Sequence, residues 1–393
     1  MKRKKSASTK KKSSPTLPYE EVVYVLQGGG ALGAYQVGIA EALTEGGYAP
    51  DWVVGTSIGA INAAIIAGNE PSEQIVKLKK FWDIISRPTL PLFIENETMR
   101  RLHNSWSAYC CLLFGQTNFF SPRWPSPAFS LSNTPDSISF YDTKELRATL
   151  ERLIDFDRIN YGETRLSLGV VEVRTGQRHY FDNKEDKIGP EHIMASGALP
   201  PGFPAVEIDG KMYWDGGLSS NTPLAHVIRG QISYEHDLRS SLCFSMQLFD
   251  SYGLLPTSLD EVLKRQKDIT YASQHMREIQ TRKEIHRLRA AIRRLSEEIP
   301  EDRKLIPEIK SIIEHNKPVM MHLVRFLYRG KTTDLSSKDY EFSKLSVGEH
   351  MLTGYEDGKA SILASPWLVP IPDTGGIFLH DISDLATKKE EII

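Results

Sequence analysis

Cysteine is scarce: Cys110, Cys111 and Cys243 are the only three in 393 residues. They supply neither a disulfide framework nor a metal-ligand spacing, so the chain reads as one for a reducing compartment. Long apolar runs are missing too. Without about 18 consecutive apolar residues, no membrane-spanning helix is expected. Net charge is close to zero at −2, which removes any global attraction to nucleic acid, and no nucleic-acid partner is expected. What remains is an ordinary globular composition, 40% hydrophobic and 25% charged. The length suits two or three domains, or one large core with additions.

Charge is unevenly placed. The opening MKRKKSASTKKKSSPT holds seven Lys/Arg and no acid. It lacks the apolar stretch of a secretory signal and is too polar to pack, so residues 1–18 read as a basic disordered tail. The same charges would tether a chain to anionic lipid at about 1 kcal/mol per basic residue near the surface. The expected location is cytoplasmic, with peripheral contact at the inner membrane surface as the alternative.

From Val22 to Gly68 the pattern is strand, turn, helix, strand, turn, helix. VVYVLQ is a buried-type strand, and Gly46-Gly47 stops the helix that follows it. WVV is a second short strand, and SIGAINAAIIAG a small-residue helix. Such alternation predicts an α/β fold with a parallel sheet covered on both faces. Residues 87–140 break the rhythm with Pro and aromatic residues, Phe93, Trp106, Phe120, Trp124 and Phe129 among them. This reads as a loop-rich excursion that either packs its rings on the core or forms a lipid-contacting, lid-like flap.

Hairpins are expected around Thr175-Gly176 and Asp209-Gly210, and strands at SLCFSMQLF and MHLVRFLY. Leu259 to about Ile299 reads as one long helix, with Ile285, Leu288, Ile292, Leu295 and Ile299 spaced as in a coiled coil. It either folds back as a hairpin on Leu305, Ile309 and Ile312 or offers a dimer seam. Arg282, Lys283, Arg287, Arg289, Arg293 and Arg294 give its outer face a basic character suited to acidic lipid. The expected organisation is therefore the tail 1–18, a main domain 19–250 containing the 87–140 insertion, and a C-terminal extension 251–393 with the long helix.

Two glycine turns carry the candidate chemistry. VVYVLQGGGALGAYQ places Gly28, Gly30 and Gly33 as G-x-G-x-x-G between a strand and a helix. That pattern fits a dinucleotide pyrophosphate, or backbone N–H groups aimed at an oxyanion. Gly55-Thr56-Ser57-Ile58-Gly59 is G-x-S-x-G on a strand–turn–helix, the setting of a nucleophile elbow. A dinucleotide site needs an acid at the carboxyl end of that second strand. The strand has Asp51 at its start and the serine motif at its end, which favours acyl transfer. A serine nucleophile needs a base. His322 and His350 are the least implausible of the eleven histidines. Asp215, ending a strand just before Gly216 and Gly217, is either a turn aspartate or a base for Ser57.

In order along the chain, GGGALG (28–33), GTSIG (55–59), the ASGALPPGFP block (195–204), DGG (215–217) and NTP (221–223) closely resemble the patatin-like phospholipase family over roughly residues 20–235. The resemblance implies a three-layer α/β/α fold with a central, mostly parallel sheet. It also implies a Ser–Asp dyad that hydrolyses lipid acyl esters without catalytic histidine, metal or cofactor. Carried over by position, Ser57 is the nucleophile and Asp215 the base, with Gly28, Gly29 and Gly30 as oxyanion donors. Gly33, Gly55, Thr56, Ile58, Gly59, Gly216 and Gly217 complete the motifs. Many members carry a basic residue where this chain has Leu32, so that charge is absent from its loop. The region after 250 resembles an extension found in a bacterial subset of the family. Two rival readings are a nucleotide-binding protein without hydrolysis and a non-catalytic membrane-associated scaffold.

Overall fold

Consecutive residues of the first strand point to opposite faces of a sheet, and both faces are apolar: Val22, Tyr24 and Leu26 on one, Val23 and Val25 on the other. That two-sided burial requires helices above and below. A computed structural model describes residues 19–88, 96–127, 138–233, 240–315, 320–369 and 376–382. The basic tail 1–18, Phe93 and Phe129 fall outside the described residues, as do the side chains of Arg282 and Lys283.

The chain begins with β1 (Glu21–Leu26), α1 (Ala34–Glu45), β2 (Trp52–Thr56), α2 (Ile58–Ala67), α3 (Gln74–Ile85) and α4 (Glu97–Phe114). A short ribbon of β3 (Ser121–Pro122) and β4 (Tyr141–Asp142) leads into α5 (Lys144–Leu153) and α6 (Phe156–Tyr161). Two hairpins follow, β5 (Arg165–Glu172) with β6 (Arg178–Asp182), then, after α7 (Pro190–Ser196), β7 (Val206–Ile208) with β8 (Lys211–Asp215). Next come α8 (Leu224–Ser233) and β9 (Ser241–Gln247). The remainder holds α9 (Leu259–Glu297), α10 (Glu301–Lys304), α11 (Pro307–His315), β10 (Met320–Leu327), α12 (Lys344–Ala364) and β11 (Gly376–Asp381).

The main sheet runs β11-β10-β9-β1-β2-β5-β8-β7, with β6 paired to β5. Strands from β11 to β5 are mutually parallel, and β6, β7 and β8 join antiparallel. α1, α2 and α12 cover the Tyr24 face, while Leu224, Val227 and Ile228 of α8 cover the Val23 face. This is the expected three-layer α/β/α arrangement around a mostly parallel sheet.

Residues 251–393 supply two strands of that same sheet through β10 and β11, beside β9. They also supply α12, whose Asp357 Oδ2 accepts the Tyr35 hydroxyl of α1 at 2.5 Å. The long helix is present as α9. α10 and α11 fold back after it, leaving Leu288 and Leu295 exposed.

The 87–140 region departs from the loop-rich reading, because α4 spans 18 residues within it. Its apolar residues do recur every three to four positions, but the neighbouring aromatics and prolines obscure the period. Asn96 caps it by accepting the Met99 N–H at 2.9 Å. Among the described residues no helix is long and apolar enough to cross a membrane.

Candidate active site

β1 and β2 lie side by side in parallel, with Leu26 opposite Gly55. Both glycine turns therefore open at the same carboxyl edge, where α/β sheets hold ligands. Asp215 arrives from the other side by strand register. Thr56, the last residue of β2, faces Gly169 on β5, and the next residue, Val170, faces Asp215. The acid of β8 thus ends where β2 ends, and the two following turns meet.

Ser57 holds a backbone conformation (φ 57°, ψ −125°) that non-glycine residues rarely adopt. Its N–H is fixed by Ser196, whose backbone carbonyl and Oγ both accept at 3.1 Å. Ser196 Oγ in turn donates to the Gly169 carbonyl at 2.7 Å. The sharpness of the turn also explains Gly59, since a Cβ there would lie 2.3 Å from the Leu26 carbonyl oxygen.

Ser57 stands beside the Asp215 carboxylate at the floor of the cavity, and the Gly217 N–H donates to Asp215 Oδ1 at 2.7 Å. Burial pushes the Asp215 carboxyl up to about 6, against the lowering effect of the neighbouring Ser57 and the Gly217 N–H. A buried carboxylate with a raised proton affinity beside a serine is chemically able to take up a proton near neutral pH.

The glycine loop is clamped by Asn221, read from sequence only as part of a tail motif. Its Nδ2 donates to the Gly28 carbonyl at 2.9 Å, and its own carbonyl accepts the Gly28 N–H at 3.2 Å. Gly28 therefore has its amide engaged. Among the described residues, the Gly29 and Gly30 N–H groups take no partner. Gln27 braces the loop from behind, donating to Thr222 Oγ1 at 2.8 Å and accepting the Phe249 N–H at 3.2 Å. Leu32 is wholly buried in the core, so its side chain does not face the ligand space.

Ser57, Asp215 and Gly28–Gly30 form the floor of a cavity of about 310 Å³. Its walls are apolar, with Leu146, Met194, Leu199, Phe119, Phe120 and Phe203 from the chain before residue 250. Tyr271 of α9, with Asp339, Tyr340 and Phe342 from the stretch before α12, completes it. Sequence reasoning missed these four. No local motif marks them, and only the long-range return of the chain brings them to the site.

The other candidates lie elsewhere. His322 Nδ1 sits 2.6 Å from His380 Nε2, between β10 and β11, and His350 is buried against Tyr328. Neither lines the cavity. Asp51 Oδ2 accepts the Val22 N–H at 2.8 Å at the amino ends of the strands, remote from the glycine loop. The acid that a dinucleotide ribose requires is thus committed to the backbone at the wrong end of the sheet.

A family model described as patatin-like phospholipase matches residues 24–228, and a second, described as patatin phospholipase, matches residues 269–374. The chain belongs to the patatin-like phospholipase family. No curated protein matches. Among solved structures, VipD from Legionella pneumophila aligns with a TM-score of 0.36 at 15% identity, covering 88% of this chain and 67% of that one.

Proposed function

We propose that this chain is a serine acyl hydrolase of lipid esters, with Ser57 as nucleophile, Asp215 as general base and the Gly29 and Gly30 amides as oxyanion donors. Ser57 Oγ attacks the ester carbonyl carbon as its proton passes to the Asp215 carboxylate. The carbonyl π pair moves onto oxygen, where the two amides receive it. Collapse restores the C=O and expels the alcohol, which takes the proton from Asp215. Water then adds to the acyl-Ser57 ester, giving its proton to Asp215. The fatty acid leaves, and the proton returns to Ser57 Oγ.

The observation that carries this reading is that Ser57, on its strained strand-to-helix turn, shares the floor of an apolar cavity with the buried Asp215 carboxylate. The wall chemistry suits an acyl chain and offers little to a pyrophosphate. The test compares the native protein with Ser57→Ala on a short-chain nitrophenyl ester and a panel of phospholipids, alongside labelling by a fluorophosphonate probe. Labelling and hydrolysis are both expected to vanish in the variant. A variant that still labels places the nucleophile elsewhere.

A further inference from the structure

α4 is inside out. In a surface helix of a globular protein the apolar stripe faces the core. Here the buried side carries Arg100, His103, Asn104 and Ser107 with only Ala108 and Cys111 as apolar members, while Met99, Leu102, Trp106, Tyr109 and Leu113 face outward at spacings of three and four. Leu102 is 60% exposed and Trp106 53%. The orientation is held by specific polar contacts. Arg100 Nη1 donates to Glu349 Oε1 at 2.6 Å and Nη2 to Ser346 Oγ at 2.9 Å, both on α12. Asn104 Nδ2 donates to the Thr333 carbonyl at 3.1 Å. A helix so pinned presents its apolar side to the outside by construction, and a contiguous exposed apolar patch of this kind marks an interaction surface.

The stripe leads to the cavity. At its carboxyl end the buried Cys111 and the partly exposed Leu112 line the cavity, and the Leu112 carbonyl accepts the Tyr141 hydroxyl at its wall at 2.7 Å. Trp124, two residues past β3 in sequence, is 96% exposed. On the other flank, the 331–336 segment bridges to the start of α9. Arg101 Nη1 donates to the Thr332 carbonyl at 3.0 Å, and Ser336 Oγ donates to Asp260 Oδ1 at 2.6 Å. The first turns of α9 there add exposed Leu259, Val262 and Leu263.

We infer that this face is where the protein lies on a lipid bilayer, with α4 in the plane of the interface. The inference rests on the acyl-hydrolase reading for the direction in which substrate arrives. The outward residues are those that suit an apolar–aqueous boundary, Leu and Met beside Trp and Tyr. Because the same helix walls the cavity, an acyl chain passes from bilayer to Ser57 along apolar surface without crossing water. A second copy of the chain seated on this face would cover that route, which is why the bilayer is the occupant.

The experiment uses the full chain and phosphatidylcholine vesicles in a flotation assay, with Leu102→Asp/Trp106→Asp as the variant. Both positions are outside the cavity lining and exposed, so folding is checked simply by thermal unfolding. Vesicle binding is expected to weaken at least about tenfold, since two apolar anchors are exchanged for charges. Vesicle-lipid hydrolysis should fall with it, while turnover of a soluble short-chain ester stays within about twofold. Unchanged flotation of the variant overturns the inference, as does a native protein that does not float. So does sedimentation showing a dimer that the variant dissociates. Soluble-ester turnover reports the hydrolase reading separately: its absence in the native protein sinks that reading whatever the vesicles show.

Discussion

Lys338 Nζ donates to Asp268 Oδ1 at 2.6 Å, and the two side chains are only 4% and 10% exposed. The pair joins α9 to the short turn Lys338–Tyr340, and the neighbouring Lys267 Nζ meets Asp339 Oδ1 at 2.5 Å. This turn leans on the glycine loop and carries two of the cavity's wall residues. Breaking one partner of a buried pair strands the other charge, typically at a cost of about 3–5 kcal/mol. Lys264 Nζ also lies 3.9 Å from Asp268 Oδ2, so part of the charge stays compensated. Lys338→Met is expected to cost about 3 kcal/mol by denaturant unfolding, and Lys338→Met/Asp268→Leu to recover much of it.

Asp215 sets the pH dependence. If it is the base of the proposed mechanism it must be ionised, so turnover of a soluble ester should rise through about pH 6 and level off above it. The stability effect has the opposite sense. A folded proton affinity above the unfolded one favours the fold below about pH 4, and that advantage is lost as pH rises through about 6. Asp215→Asn should therefore abolish turnover while raising the melting temperature at pH 7. A melting temperature lowered at neutral pH would contradict this account.

Asn221 is a positioning residue. With its side chain removed, the Gly28 carbonyl loses its partner and the loop gains freedom. Misplacement of oxyanion donors by about 1 Å can cost on the order of 10²-fold. Asn221→Ala is expected to lower kcat by about that factor with KM little changed, measured on the soluble ester. Equal effects on KM and kcat would place Asn221 in substrate binding instead.

Gly30 combines a φ of +55° with the Asp339 carbonyl oxygen, which would lie 1.9 Å from an added Cβ. Gly30→Ala forces either the loop or the 338–340 turn to move. The expected loss of turnover is about 10²–10³-fold, the usual effect of disabling one oxyanion donor. Retained binding of a non-hydrolysable ester analogue would separate that loss from collapse of the cavity.

Much of the site could be read from local pattern. β-branched strands ending in glycine turns located Ser57 and the loop at 28–30, and the Asp209-Gly210 hairpin delivered Asp215 on the strand it precedes. The register that brings Thr56 and Asp215 to adjacent positions on β5 is a matter of long-range pairing, for which sequence offers no local sign. The same holds for Tyr271 and Tyr340. α4 was obscured for a different reason: the aromatics and prolines around it mask its period, and its outward-facing stripe also runs against the rule by which a periodic stripe is read as core-facing.

The bond from Tyr35 to Asp357 joins residues 322 positions apart. At translation rates of about 5–20 residues per second, α1 waits roughly 15–60 s for α12 to leave the ribosome. Ser57 and Asp215 are made early, yet Tyr271, Tyr340 and Phe342 are still to come when both have emerged. On this timetable the nascent chain carries Ser57 and Asp215 before the walls of the cavity they floor are complete. The apolar walls around Ser57 are therefore assembled by residues synthesised well after it, so the cavity closes over that serine late rather than early.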